Sequence, residues 1–270
     1  MELSVFNELR KLVYKQSGIA LSEKKLVLMK ARINKRLRTL GISSYRKYLE
    51  ILKADKSENE MMNFLDVIST NTTSFFREQL HFEIFSEFLK EALRHGQKRF
   101  RVWCAAASSG EEPYTLAMTI EEAINSWAGP RPDFRILATD ISMRMLLKAR
   151  EGIYTSETAK HIPLKLLERY FEKFEDKGKT NYKALHDIRK LILFKRLNLA
   201  EAPYPMKGPM DIIFCRNVMI YFDKPMRKKV LTEAYRLLKH GGLLMVGHAE
   251  SLAGSGAGFK SLRPSVYVKD

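Results

Sequence analysis

Apolar residues recur at steps of three or four through the first 70 residues, and this spacing predicts an all-helical N-terminal part. The pattern begins with Leu3, Phe6, Leu9 and Val13 and is interrupted at Ser17-Gly18. Ser22 is placed to cap a second helix, which Gly41 ends. Helices are therefore predicted from Leu3 to the break at Ser17-Gly18, and over 22–40, 44–53 and 57–68.

From about Asn71 the pattern changes, because after a helix near 78–93 short β-rich apolar runs alternate with helical ones. Such alternation predicts βαβ units on a mostly parallel sheet. We therefore expect a doubly wound α/β domain over 71–270 behind a helical domain over 1–70. The strand-like runs are 100–106, 134–139, 191–196, 211–215 and 243–247, and the helical ones are 113–126, 142–150 and 225–238.

Residues 151–190 interrupt this alternation and predict a small inserted subdomain. A helix is expected over 163–170. Two strands, 171–175 and 182–187, flank Asp176-Lys177-Gly178-Lys179, which is typical of a β-hairpin.

Charge and composition narrow the class of protein. The 270 residues carry a formal net charge of +16 and are 45% hydrophobic. No run reaches the roughly 20 apolar residues of a membrane-spanning helix, and no signal peptide is recognisable, so no membrane insertion is expected. The excess of bases favours an acidic partner. Helix 22–40 carries many of them, namely Lys24, Lys25, Lys30, Arg32, Lys35, Arg36 and Arg38.

The two cysteines and six histidines show neither a disulfide framework nor metal-ligand spacing. We therefore expect a reduced cytoplasmic protein without a metal site. Cys215 follows no Pro-Cys element of the kind that base methylation uses, so a buried core cysteine is the favoured interpretation.

The segment 101–114 predicts a strand, a tight loop of small residues and then a helix, an arrangement that lets a ligand approach the backbone closely. The loop lacks G-x-G-x-x-G, and Glu111-Glu112 would repel a pyrophosphate. A cofactor that carries an ammonium, a sulfonium and sugar hydroxyls fits better, and S-adenosylmethionine is such a molecule. The alternative is a simple strand-to-helix turn with acids at the helix start.

Three further segments carry candidate site residues. Asp140 ends the next strand and either accepts hydrogen bonds from ribose hydroxyls or caps the following helix, a role that Ser142 also fits. Arg216-Asn217 follow a buried strand and either touch a ligand or belong to a surface loop. The cluster 69–78 is polar and then aromatic, and alone it is equally compatible with a linker.

Together these segments resemble the chemotaxis receptor methyltransferases, which esterify glutamates on the cytoplasmic helices of chemoreceptors. The resemblance covers nearly the whole chain and is carried by 71–78, 103–114, 214–223, 241–244 and 247–251. It implies a class I S-adenosylmethionine methyltransferase fold, with S-adenosylhomocysteine as product.

The resemblance also implies roles for individual residues. An acid of the Glu111-Glu112 pair, with Glu112 favoured, would bind the cofactor, and Arg77 and Tyr221 would lie around the transferred methyl as catalytic residues. The remaining cofactor contacts would be Asn71, Thr73, Arg77, Asp140, Asn198, Leu199, Arg216 and Asn217.

A glutamate acceptor needs no general base, since it is ionised at neutral pH with a reference pKa near ~4.3. Helix 22–40 would dock the acidic receptor helices, and a monomer associated with receptor arrays is expected. The resemblance also implies that the hairpin subdomain can bind a C-terminal receptor peptide with the help of its glycines. Because Gly178 is the one glycine of this hairpin, we expect no such tethering.

Two alternatives remain open at this point. A nucleic-acid methyltransferase is compatible with the charge, although Arg216-Asn217-Val218-Met219 replaces the Asn/Asp-Pro-Pro-aromatic turn of amino methylation. A non-catalytic binding module that senses the cofactor is the second alternative.

Overall fold

The N-terminal part forms a helical domain with its own core. The computed structural model describes residues 1–57, 59–252 and 256–270. Phe6, Leu9, Ile33, Tyr48 and Phe64 are buried together. The helices are α1 (Leu3–Ser17), α2 (Leu26–Leu40), α3 (Tyr45–Ala54) and α4 (Asn59–Ile68), and Glu58, within the predicted helix 57–68, lies outside the described residues.

The predicted helix 22–40 is shorter than expected at its start. Residues Glu23–Lys25 form a 3-10 turn, and the Ser22 hydroxyl makes no capping bond. The predicted end is confirmed, because Gly41 adopts a left-handed conformation with φ 66° and donates its N–H to the Arg38 carbonyl. Leu3, where the predicted apolar pattern begins, is 58% exposed, whereas Phe6, Leu9 and Val13 are buried.

The second part of the chain alternates strands and helices as predicted. Its helices are α5 (Leu80–Arg94), α6 (Glu111–Asn125), α7 (Met143–Glu151), α8 (Ser156–Ala159), α9 (Leu164–Tyr170), α10 (His186–Arg189) and α11 (Lys224–Leu237). Its strands are β1 (Arg99–Cys104), β2 (Asp133–Asp140), β3 (Ile153–Thr155), β4 (Phe171–Asp176), β5 (Lys179–Ala184), β6 (Ile192–Arg196), β7 (Met210–Cys215), β8 (Leu238–Val246), β9 (Phe259–Arg263) and β10 (Val266–Lys269).

The large sheet has the strand order β6-β2-β1-β7-β8-β10-β9. The first five are parallel, whereas β10 and β9 add an antiparallel edge that the apolar pattern did not predict. Successive strands leave β1 to one side through β2 and β6 and return on the other through β7 and β8. The doubly wound fold is thus confirmed, with its topological switch point between β1 and β7, where ligands of such sheets bind.

The insert is a three-stranded antiparallel sheet in the order β3-β5-β4. Its predicted hairpin turns at Lys177-Gly178, where both residues have positive φ (51° and 71°), as a type I′ turn requires. Strand β3 was not predicted, and the second predicted strand ends at Ala184 rather than 187, since α10 follows. Among the described residues, no helix is long and apolar enough to cross a membrane.

Candidate active site

A cavity of about 440 Å³ lies between the two domains at the carboxyl ends of β1, β2 and β7. Its walls come from the α1–α2 connection (17–22), the strand ends, and Ile68 together with the interdomain linker (69–79), of which 69–73 and Arg77 line the cavity. This volume falls in the range of roughly 300–1,000 Å³ that is typical of small-molecule sites. Every predicted site residue lines it: Asn71, Thr73, Arg77, Glu112, Asp140, Asn198, Leu199, Arg216, Asn217 and Tyr221.

Asp140 lies at the floor of the cavity and is held by the backbone. Its Oδ2 accepts the N–H of Ser108 at 2.8 Å and its Oδ1 accepts that of Ser142 at 2.9 Å. The cap of α7 is Ser142, whose Oγ accepts the Met145 N–H, so Asp140 is not used as the helix cap. Burial raises the pKa of Asp140, and each of its oxygens keeps a lone pair for a hydroxyl donor.

The pair Glu111-Glu112 is divided by the first turn of α6. Glu112 lines the cavity, where its Oε1 accepts from the Cys104 thiol at 3.2 Å. Glu111 is buried outside the cavity lining and accepts from the Ser109 hydroxyl at 2.8 Å, and burial raises its pKa. The geometry therefore brings Glu112, and not Glu111, together with Asp140.

Arg216 is a buried cation held between two carboxylates. Its side chain has no exposed surface, and it donates to Glu112 Oε2 at 2.8 Å and to Glu78 Oε2 at 3.1 Å. The same guanidinium donates to the carbonyl oxygen of Arg77 and lies 5.2 Å from the ring centroid of Phe82. Arg216 thus fixes the backbone of the linker as well as the acid on α6.

Asn217 is held in a left-handed conformation with φ 56° by a second buried acid, Glu250. Glu250 Oε2 accepts the N–H groups of Asn217 and Gly247 at 2.7 and 2.6 Å, and its Oε1 accepts that of Ile220 at 3.1 Å. The Asn217 amide donates to Glu78 Oε1 at 3.1 Å. Burial raises the pKa of Glu250 despite these bonds.

Glu78 and Glu250 were not among the predicted site residues. Both lie in segments that carry the resemblance, 71–78 and 247–251, and this was the available signal. No spacing distinguishes them from surface acids, because each acts through partners that are distant in sequence. Backbone strain gathers at the same place, since Phe76, Glu78, Ser108 and Asn217 all have positive φ.

The N-terminal domain closes one side of the cavity. Ile19 forms a β-bridge with Phe222, and the Ala20 N–H donates to the Tyr221 carbonyl at 2.8 Å. The Asn198 amide donates to the Gln16 carbonyl at 2.6 Å, and so ties this connection to the loop after β6. Tyr221 is therefore positioned by both domains.

Arg77 lies on the linker side of the cavity and is partly exposed. Its Nη1 donates to the Thr72 carbonyl at 2.9 Å, which keeps the guanidinium against the linker. Three possible metal ligands, Glu78, His81 and His248, have donor atoms within 4.8 Å of one another. Arg216 at Glu78 opposes a cation there, and the prediction that the protein has no metal stays a prediction.

The residues of the cavity fit S-adenosylmethionine. Two acids, Glu112 at the start of α6 and Asp140 at the end of β2, suit an ammonium and ribose hydroxyls. The apolar side chains of Ile141, Leu197 and Leu199 line the cavity beside Asn198 and suit a purine ring.

Comparison with known proteins agrees with this arrangement. The CheR methyltransferase all-alpha domain matches residues 4–69, and the CheR methyltransferase SAM binding domain matches residues 71–268. Similar chains include chemotaxis protein methyltransferase 2 of Pseudomonas aeruginosa (36% identical, covering 97% of this chain and 91% of that one) and the chemotaxis protein methyltransferases of Salmonella typhimurium (37%, 97% and 89%) and Borreliella burgdorferi (35%, 98% and 93%). The chain therefore belongs to the CheR family of S-adenosylmethionine-dependent chemotaxis methyltransferases.

Proposed function

We infer that this chain carries out the reaction of its family, methyl transfer from S-adenosylmethionine to glutamate carboxylates of chemoreceptors, in the cavity between its two domains. The observation that carries the assignment of the site is that all ten predicted residues line one cavity at the switch point of the sheet. The division of roles among them is our proposal.

The charges around the cavity are arranged in two zones that suit a cationic donor and an anionic acceptor. The carboxylates lie at the end of β2 (Asp140) and in the first turn of α6 (Glu112), and both are largely buried. The cations Lys25, Arg32 and Arg77 lie in the turn before α2, on α2 and on the linker, and they are more exposed than Asp140. A cationic donor is thus favoured at the floor, and an acidic acceptor is favoured where it enters from the linker side.

S-adenosylmethionine supplies an electrophilic methyl group on its sulfonium when bound. We propose that Asp140 holds the ribose hydroxyls, that Asn198 and Leu199 contact the adenine, and that Glu112 binds the ammonium. The linker residues Asn71 and Thr73, together with Arg216 and Asn217, complete the pocket.

The acceptor requires orientation and removal of water rather than proton abstraction, because its carboxylate is already ionised. We propose that Arg77 turns from the Thr72 carbonyl to orient the incoming carboxylate by a charge-assisted bond. Tyr221 lines the same cavity, and we propose that its ring packs against the sulfonium. In this proposal each group would touch a reacting partner, so both are assigned as catalytic residues.

We assign receptor docking to the exposed bases of α2. Arg32 and Arg36 are not among them, because both contact other residues of this chain. Arg32 donates to the Ser69 carbonyl at 3.2 Å, and Arg36 pairs with Glu60. Among the described residues, the bases of this helix that are exposed and take part in no ion pair are Lys30, Lys35 and Arg38, with Lys24 and Lys25 in the turn before it.

We propose that the protein acts in the cytoplasm as a monomer associated with receptor arrays, where the receptor helices that it methylates lie. The opposed charges of α2 and a glutamate-rich helix favour this encounter and make it sensitive to salt.

Transfer of a tritiated methyl group to a receptor cytoplasmic fragment tests the proposal directly. We expect incorporation that mild base releases as methanol, because base hydrolyses a carboxylate ester and leaves an N-methyl group intact. Asp140→Asn should reduce incorporation through a higher KM for the donor. Base-stable label, or transfer to RNA or DNA in place of the fragment, would contradict the glutamate acceptor.

A further inference from the structure

The buried charges beside the cavity do not balance. Arg216, Glu112 and Glu78, which we call the Arg216 cluster, contribute one positive and two negative charges. Their side chains are 0%, 12% and 13% exposed, so solvent screens them little. Hydrogen bonds from Asn217 and the charge of Arg216 overcome burial and lower the pKa of Glu78, which keeps its carboxylate ionised.

The groups packed around the cluster leave this imbalance in place. His81 Nδ1 lies 3.4 Å from Glu78 Oε2, but burial and the neighbouring Arg216 lower the pKa of His81 to about 4, so the ring is neutral at pH 7. The His248 ring packs against His81 at 5.1 Å, and its backbone N–H donates to Glu78 at 3.3 Å. The Glu250 carboxylate accepts backbone N–H groups and no bond from Arg216. Arg77 contacts the cluster only through its carbonyl oxygen, which accepts from Arg216.

The position of Glu78 is over-determined, which indicates a specific requirement for its carboxylate. The residue adopts φ 57°, a conformation that side-chain-bearing residues seldom take. Its two oxygens receive Asn217, Arg216 and the His248 backbone, which join the linker to the loops after β7 and β8. Without this second acid, Arg216 would neutralise Glu112, and the Arg216 cluster would lose its net negative charge.

We propose that Glu78 is an electrostatic positioning residue, which keeps the Arg216 cluster net negative and so favours the cationic methyl donor over the uncharged product thioether. This inference rests on the proposed function of the cavity. S-adenosylmethionine and S-adenosylhomocysteine differ by one methyl group and one positive charge. A residue that acts through charge therefore changes the ratio of the two affinities, whereas one that only shapes the pocket changes both alike.

Calorimetric titration of the full-length protein with each ligand, without receptor, measures this ratio. In Glu78→Gln we expect the Kd of S-adenosylmethionine to rise about tenfold and that of S-adenosylhomocysteine to change less than about threefold. Glu78→Asp keeps the charge at a shorter reach, so its ratio should stay within about twofold of wild type. Glu83→Gln removes an exposed acid from α5, the helix that follows Glu78, and should change neither Kd.

Equal weakening of both ligands by Glu78→Gln would overturn the proposal and leave a purely structural role. If circular dichroism shows that Glu78→Gln does not fold, Glu78→Asp decides, because a shift of its ratio by more than about fivefold contradicts a role through charge and a maintained ratio supports it. Failure of the wild-type protein to bind either ligand would instead refute the proposed function itself.

Discussion

Arg32 donates from its Nη1 to the carbonyl oxygen of Ser69 at 3.2 Å, and so joins helix α2 to the interdomain linker. The same guanidinium reaches Thr70 Oγ1 at 3.3 Å. A base that the sequence assigns to a receptor-facing surface is thereby used within the protein. Because the linker continues into Asn71 and Thr73, Arg32 also helps to place the residues that we assign to the donor.

Charge reversal at Lys35 should weaken receptor docking without affecting the chemistry. Lys35 is exposed on α2, three residues beyond Arg32, and it pairs with no acid among the described residues. In Lys35→Glu we expect KM for a receptor fragment to rise about three- to tenfold, with kcat and S-adenosylhomocysteine affinity unchanged, because only the encounter is electrostatic. Steady-state kinetics at two salt concentrations measures this effect, which should shrink at high salt.

Lys98→Glu is the matched control, because Lys98 is equally exposed but precedes β1 at the opposite end of the sheet from the cavity. An equal rise of KM in both variants would show that net charge, and not the α2 surface, determines docking. Arg32→Glu should behave differently and lower the unfolding temperature, since it removes the linker contacts.

Removal of the two catalytic candidates should reduce turnover more than binding. Arg77→Ala should lower kcat by about 10- to 100-fold, equivalent to roughly 1.4–2.7 kcal/mol of transition-state stabilisation. Tyr221→Phe tests the hydroxyl alone, and a smaller loss is expected if the ring carries the contact with the sulfonium. Single-turnover methyl transfer at saturating donor measures the rate of both variants. Unchanged rates in both would contradict the assignment of Arg77 and Tyr221 as catalytic residues.

The stability of the protein should depend on His81 between pH 6.5 and 4. Burial, followed by the charge of Arg216, lowers its pKa from 6.5 to about 4, so the unfolded chain binds a proton in this range that the folded protein does not. The contribution of His81 to the free energy of unfolding is therefore complete above pH 6.5. We expect it to fall by roughly 3 kcal/mol as the pH decreases to about 4.

His81→Leu removes this titration, and both ring nitrogens of His81 lack hydrogen-bond partners, so the variant should be close to neutral at pH 7. Urea unfolding from pH 7 to 4 should then give a curve for the variant that falls less steeply than that of wild type. Parallel curves would show that folding does not lower the pKa of His81.

Glu250→Gln should destabilise the loop that presents Asn217. The carboxylate accepts three backbone N–H groups, and an amide supplies one acceptor oxygen in their place, so we expect a loss of about 2 kcal/mol. The urea midpoint measures it, and S-adenosylhomocysteine affinity should fall with it because Asn217 moves. Glu172→Gln, at an exposed acid of the insert, is the control; equal midpoints for the two variants would exclude the role.

The parallel part of the sheet was predictable because its strands are buried and leave continuous apolar runs. The antiparallel edge was not, since β9 has no buried residue and β10 has two, so neither gives a periodic signal. The 3-10 turn at Glu23–Lys25 was not predicted for a similar reason. Its side chains are exposed, and nothing in a polar tripeptide separates it from the first turn of a helix.

Asp140 and Asn217 could be predicted to line one pocket because the carboxyl ends of parallel strands lie at the same edge of the sheet. Glu78 and Glu250 could not, because their partners are far away in the sequence. Glu78 meets Asn217 across 139 positions and His248 across 170, and only the folded chain brings them together. The choice of Glu112 over Glu111 depends on which face of α6 is turned towards the cavity. Two neighbouring acids in the sequence do not predict that face.

The bridge between Ile19 and Phe222 has a consequence for engineering this protein. A chimera that exchanges the helical domain between relatives, in order to redirect receptor choice, also replaces one wall of the donor pocket. We expect such a chimera to keep its activity when residues 16–22 come from the same relative as 197–199 and 220–226, which they contact. A junction at the linker alone would combine contact surfaces from two different proteins.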